Sequence, residues 1–380
     1  MPDPERRLRA HALPVAALFL LALLPWWSVL HDPEQRIDER DYFQAFAARA
    51  AGRSPYSVHR YLYTPAFAVA GAAAVEGLGE RATLLLLRHL NLLGACAIVW
   101  ASLALTAWRA RSRFLLAMAA VVLAPIVRHG MLYGNITFVV VAASLLGLAL
   151  ADSRPALGGG LLGLGLAIKP LGAPAAVALA LHRRPGATRR PLIVTAAAVA
   201  ASALLPVLLL DGSRLPEMLA RMGQPYEVTY NLSLAYVLHL FGLDVPPIAI
   251  AVVVLLGTLV VLWRVELDGR GLVLLGSTAS LLALPLVWTH TLAWNLPAQA
   301  LAAERAIATL RAAPDEAARR RARLVLGLVL VGIANVEGSA ALVAVRHLPD
   351  PVLGLFVALP IALATALAIY AAGAPARYSK

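Results

Sequence analysis

Between His31 and Tyr63 the chain reads HDPEQRIDERDYFQAFAARAAGRSPYSVHRYLY, and five of its 21 acidic residues fall within ten positions there. They are Asp32, Glu34, Asp38, Glu39 and Asp41, with Tyr42, Tyr56, Tyr61 and Tyr63 among or after them. Asp38 and Asp41, three apart, share a face if this stretch is helical, and Tyr42 stands one turn from Asp38. A carboxylate near aromatic rings at a bilayer surface is open to tuning as a general base. Solvation of a juxtamembrane helix is the plainer use of such acids.

Lys169 is the second chemical signal. The chain carries its positive charge almost wholly on arginine, and its lysines are Lys169 and Lys380. Lys169 stands between two apolar segments, GLLGLGLAI and PLGAPAAVALAL. A cation at membrane depth is costly and takes a partner, and a phosphate suits an ammonium. Snorkelling from a helix end is the alternative.

Further polar residues break apolar runs: His290 with Trp288, Trp294 and Asn295; Arg128 and His129 with Tyr133, Gly134 and Asn135; Asn231 and Ser233 in TYNLS. Each has a structural reading. A histidine is often a hydrogen-bonder, paired tryptophans form an interfacial belt, a polar turn caps a helix, and Asn231-Leu232-Ser233 matches a glycosylation sequon that is common by chance. No Asp-x-Asp, Cys–His pairing or HExxH occurs, and no Walker or dinucleotide fingerprint. Neither a metal site nor a cofactor is therefore expected.

The elements that must position these residues are membrane helices. Of 380 residues, 60% are hydrophobic, and the mean hydropathy is +0.75, beyond soluble domains. Apolar runs at 13–30, 64–79, 83–107, 114–127, 135–151, 156–168, 170–182, 191–210, 246–263, 271–287, 291–310, 324–345 and 351–372 predict an all-α polytopic membrane protein with about 11–13 transmembrane helices. The expectation is one integral membrane domain over 1–380. Residues 31–63 would be an external catalytic loop of interfacial helix, with Phe43, Phe46 and Ala50 at the acyl boundary. Residues 211–244 would be a second external loop, with an interfacial helix near Leu215–Met222.

The net charge of +12 lies in short arginine clusters between spans, which reads as cytoplasmic loops and contact with membrane lipids rather than nucleic acid. The N-terminus, with Arg6, Arg7 and Arg9 ahead of Leu13–Leu30, reads as an uncleaved first helix starting inside. That arrangement collects the polar, non-basic motifs on the non-cytoplasmic face of the plasma (inner) membrane. It leaves one conflict of parity: 64–108 must cross an odd number of times yet looks like two spans, unless 64–79, which contains Glu76, fails to cross.

Taken in order, the motifs resemble the membrane glycosyltransferases of family 87, polyprenol-phosphate-mannose-dependent α-mannosyltransferases of the GT-C group. Asp38, Tyr42, Ala45 and Gly52 match the family's pattern after its first helix, followed by Pro55-Tyr56 and Tyr63-Thr64-Pro65. Gly134-Asn135 stands for a Gly-Gln-x-Asn turn, with Asn135 in the Gln place and the later Asn missing. Lys169-Pro170, Asn231 with Ser233, and Pro285 with Trp288 and His290 complete the set.

The resemblance implies an inverting hexosyltransferase that uses a polyprenyl-phosphate sugar donor and a glycolipid or cell-envelope glycan acceptor. It implies Asp38 as general base, with Asp41 the nearest competitor. Lys169, His290 and Arg128 would hold the donor phosphate. Tyr42, Tyr61, Tyr63, Asn135, Asn231, Ser233 and Trp288 would contact sugar or acceptor. A transporter or lipid flippase with its site near Lys169 is the competing reading.

Overall fold

The computed structural model describes residues 4–58, 61–150, 154–169, a few positions between 174 and 220, 231–265, 267, 269–284, 287, 289–313, 315–334 and 349–372. The described residues form helices and no strand, and the chain is an all-α polytopic membrane protein. Its helices are α1 (Pro4–His31), α2 (Ile37–Ala50), α3 (Pro65–Leu78), α4 (Glu80–Ala104), α5 (Ala110–Leu123), α6 (Pro125–Tyr133), α7 (Thr137–Leu150) and α8 (Pro155–Ile168). After these come α9 (Leu234–Leu240), α10 (Pro247–Arg264), α11 (Gly269–Leu282), α12 (Leu296–Ala312), α13 (Glu316–Ala334) and α14 (Asp350–Ala372). Short 3₁₀ segments lie at Pro55–Ser57 and Thr289–Asn295.

Among the described residues, Ala10–His31 of α1, α4, α10 and α14 are each long and apolar enough to cross a membrane. The expected short span 114–127 is instead two helices, α5 and α6, bent by 46° and together long enough for a fifth crossing. The bend falls at Ala124-Pro125. Proline at the first position of α6 offers no N–H to continue α5, and it drives Ala124 to an extended ψ of 125°. Helices α3, α7 and α8 have 14 residues each, about 21 Å at helical rise against an apolar core of about 30 Å. The spans expected at 170–182 and 191–210 lie outside the described residues.

The core of the first half is α4 and α7 with α1, α5 and α8 around them. Helices α7 and α8 touch backbone to backbone: a Cβ at Gly147 would come 2.8 Å from the Gly158 carbonyl oxygen. Small residues permit that approach where lipid supplies no hydrophobic drive between helices.

Segment 31–63 folds as α2 followed by the 3₁₀ turn, so its expected helix is present. Its apolar face differs from expectation. Phe46 packs on Phe67 of α3 and Phe43 on Phe46, and both are buried, whereas Ala50 is exposed. Phe46 lies on Gly71, where an added Cβ would strike its ring at 2.2 Å. A protein groove therefore takes the face expected to meet acyl chains, because α3 brings a glycine and an aromatic ring within reach.

Candidate active site

Arg36 is the N-cap of α2, and its backbone N–H donates to Glu39 Oε2 at 2.7 Å. Asp38 and Glu39 occupy its first turn, where the helix dipole favours negative charge. The following side chains diverge. Glu39 turns inward and is 1% exposed, and Arg88 of α4 grips it from both ends, with Nε to Oε1 at 2.7 Å and Nη2 to Oε2 at 2.7 Å. The same guanidinium donates to the carbonyls of Leu30 (3.2 Å), Asp32 (2.6 Å) and Glu34 (2.6 Å). Arg81, two turns earlier on α4, takes the His31 and Asp32 carbonyls at 2.8 and 3.0 Å, and Arg36 caps Val29 and Met131. The end of α1 leaves carbonyls without helical partners, and arginines satisfy them. Those bonds fix where α2 starts, and hence where Asp38 stands.

Asp38 faces the other way, into a hydrogen-bonded chain. Asn135 Nδ2 donates to Asp38 Oδ2 at 2.6 Å. The amide orientation is set from behind, because Asn135 Oδ1 accepts the Thr137 N–H at 2.9 Å and the Tyr63 hydroxyl at 3.2 Å. Tyr63 and Tyr42 hydroxyls meet at 2.7 Å, and Tyr42 accepts from Ile136 N–H at 3.3 Å. With Tyr63 donating to Asn135, Tyr42 must donate to Tyr63. The proton order is therefore defined from Ile136 through Tyr42, Tyr63 and Asn135 to Asp38. Burial raises the pKa of both tyrosines, and the Asp38 charge adds to the rise; they remain neutral donors at any physiological pH.

Lys169 reaches this cluster from the end of α8. Thr64 N–H donates to the Ile168 carbonyl at 3.1 Å, and the Thr64 hydroxyl to that of Ala167. This splice seats Tyr63 beside Lys169, whose Nζ lies 4.6 Å from the centre of the Tyr63 ring. An ammonium over an aromatic face is stabilised by the ring quadrupole. Asp38 lies within coulombic range of both. A carboxylate and an ammonium are thus within electrostatic reach of each other, brought there by segments near 38, 63, 135 and 169.

Gly134 holds the turn that delivers Asn135. It ends α6 in the left-handed region at φ 72°, and a Cβ there would sit 2.5 Å from Glu39 Cγ. Gly134→Ala is expected to cost about 1–3 kcal/mol from backbone strain and overpacking, read as a lowered thermal midpoint of the purified protein. An unchanged midpoint would mean that α2 is not pressed against this turn as described.

The other expected site residues have the following surroundings. His290 is 1% exposed and meets His129 Nδ1 to Nδ1 at 3.4 Å. Arg128, on the same helix as His129, is exposed. Asp41 is half-buried. Tyr61 is fully buried, with its hydroxyl on the Thr64 carbonyl at 3.0 Å. Asn231 Oδ1 accepts the backbone N–H groups of Ser233 (2.9 Å) and Val287 (3.0 Å), and Ser233 caps α9 through Tyr236 N–H at 3.2 Å. Asn231 and Ser233 therefore brace the strip leading to His290, and Asn231, 1% exposed, is no glycan acceptor in this fold. Trp288 and Pro285 lie outside the described residues, as does Pro170. Among the described residues, no three His, Cys, Asp or Glu side chains gather as metal ligands would.

Glu39 and Arg88 were not among the expected site residues. The available signal was Arg88 itself, an ionisable group inside the apolar run 83–107 that needed a buried partner.

Residues 61–286, more than half the chain, match the profile of glycosyltransferase family 87. The matched stretch contains Tyr63, Asn135, Lys169 and Asn231; Asp38 precedes it and His290 follows it. No curated protein matches the chain.

Proposed function

Because the chain belongs to glycosyltransferase family 87, we propose that this membrane glycosyltransferase takes its sugar, mannose or another hexose or pentose, from a polyprenyl-phosphate donor. It passes the sugar to a glycolipid or cell-envelope glycan with inversion. The observation that carries the reading is that Asp38, held by Asn135 at 2.6 Å, lies within electrostatic reach of Lys169, seated on Tyr63 at 4.6 Å. Inversion needs one base and a stabilised leaving group, and this arrangement supplies one anion and one cation.

In the proposed step, Asp38 accepts the proton of an acceptor hydroxyl while that oxygen bonds to the anomeric carbon. The bond from that carbon to the phosphate oxygen breaks on the opposite face, and polyprenyl phosphate departs with the electron pair. Lys169 and His290 stabilise the developing phosphate charge, with Arg128 available from the exposed side of α6. The Asn135 amide holds the carboxylate through one oxygen and fixes its orientation. The active site lies on the non-cytoplasmic face of the plasma (inner) membrane in this reading.

The test is product formation by purified protein given labelled polyprenyl-phosphate sugars and membrane lipid extract. Transfer from a labelled lipid donor supports the reading; transfer only from a nucleotide sugar overturns it. Within the same assay, Lys169→Ala is expected to weaken donor binding and slow transfer together, because the phosphate loses its cation in ground and transition states alike. Lys169→Arg should recover only part, since a planar guanidinium does not reproduce an ammonium seated on a ring. Unchanged donor affinity in Lys169→Ala would remove the lysine from the phosphate site.

A further inference from the structure

His129, which the proposed step does not use, is paired with His290, which it does. His129 and His290 come from α6 and the Thr289–Asn295 turn, 161 positions apart, and meet through their Nδ1 atoms at 3.4 Å. His129 is held in place by stacking on Tyr133, with ring centroids 4.2 Å apart and planes 11° from parallel. Gly130 makes room for the approach: a Cβ there would lie 3.2 Å from His290 Cβ and 2.4 Å from the Phe138 ring. His290 is 1% exposed, and Lys169 acts on it electrostatically.

Two facing Nδ1 atoms form a hydrogen bond only if one carries the proton and the other does not. Phosphate oxygens departing with negative charge only accept. A histidine that binds them must therefore present a protonated nitrogen. For a neutral His290 bonded to His129 through Nδ1, that nitrogen is Nε2, and its Nδ1 must then be the acceptor.

We propose that His129 is a positioning residue that donates its Nδ1–H to His290 and so fixes His290 in the tautomer with the proton on Nε2, the tautomer that binding a phosphate oxygen of the lipid donor requires. This inference rests on the reading of His290 as a phosphate-binding group. Second partners of this kind commonly set which imidazole nitrogen is protonated.

His129→Phe keeps a ring for Tyr133 and removes the donor; His129→Asn keeps an amide N–H near the Nδ1 position. Full-length protein in nanodiscs would be titrated with a polyprenyl monophosphate that carries no sugar. Nitrogen-15 spectra of histidine-labelled protein, with His290 signals assigned by their loss in His290→Asn, would report the tautomer. The expected result is His290 protonated at Nε2 and bare at Nδ1, and an affinity about tenfold weaker in His129→Phe. His129→Asn should recover most of that loss. A His290 with its proton on Nδ1, or an unchanged tautomer and affinity in His129→Phe, overturns the inference. If His129→Phe fails to fold, loss of the tautomer in His129→Asn overturns it equally. If His290→Asn binds polyprenyl monophosphate as tightly as the parent protein, the underlying phosphate-site reading fails instead.

Discussion

Asp38→Asn is expected to abolish measurable transfer, with a rate loss of about 10²–10⁴, while donor binding stays nearly intact. The substitution is close to a pure test of basicity. The Asn135 amide would still find a carbonyl oxygen where it now meets Asp38 Oδ2 at 2.6 Å, so the chain through Tyr63 and Tyr42 has no reason to rearrange. What disappears is the ability to take a proton from the acceptor hydroxyl. Asp41→Asn is the internal control, since Asp41 lies three residues away on the same helix. Inactivation by Asp41→Asn together with full turnover by Asp38→Asn would make Asp41 the base. The contact with Asn135 would then be structural.

The second large effect is expected at Arg88. Removing it as Arg88→Met strands Glu39, which is 1% exposed against 2% for its partner, as an uncompensated buried charge. Breaking such a pair costs about 3–5 kcal/mol. The loss extends further, because the guanidinium also binds the carbonyls of Leu30, Asp32 and Glu34; Leu30 and Glu34 then lose this donor, and Asp32 keeps only Arg81. A sharp drop in thermal midpoint and loss of activity should appear together. Glu39→Gln alone should be milder, since an amide still bonds the guanidinium. Combining Glu39→Gln with Arg88→Met should recover part of the stability, because the buried charge is gone; the non-additivity of the cycle measures the coupling. A strictly additive double variant would mean that the pair contributes no more than its separate packing.

Much of this protein was legible in the sequence because it depends on local chemistry. Composition and apolar runs dictate an all-helical membrane chain, since a backbone in lipid must satisfy its own hydrogen bonds. The start of α3 at Thr64-Pro65 follows from a hydroxyl N-cap and a first-turn proline. The shared face of Asp38 and Tyr42 follows from helical periodicity alone. What tertiary structure decided is which residues meet. Nothing near position 38 says that the amide of Asn135 will hold Asp38, nor that Lys169 will settle on Tyr63 through the bonds of Thr64 to the end of α8. The difference between adjacent Asp38 and Glu39, one in the candidate site and the other locked to Arg88, is likewise invisible to spacing. Side chains one residue apart on a helix diverge by about 100°, and only the neighbours supplied by α4, α6 and α8 determine which of the two is buried and which stands in the candidate site.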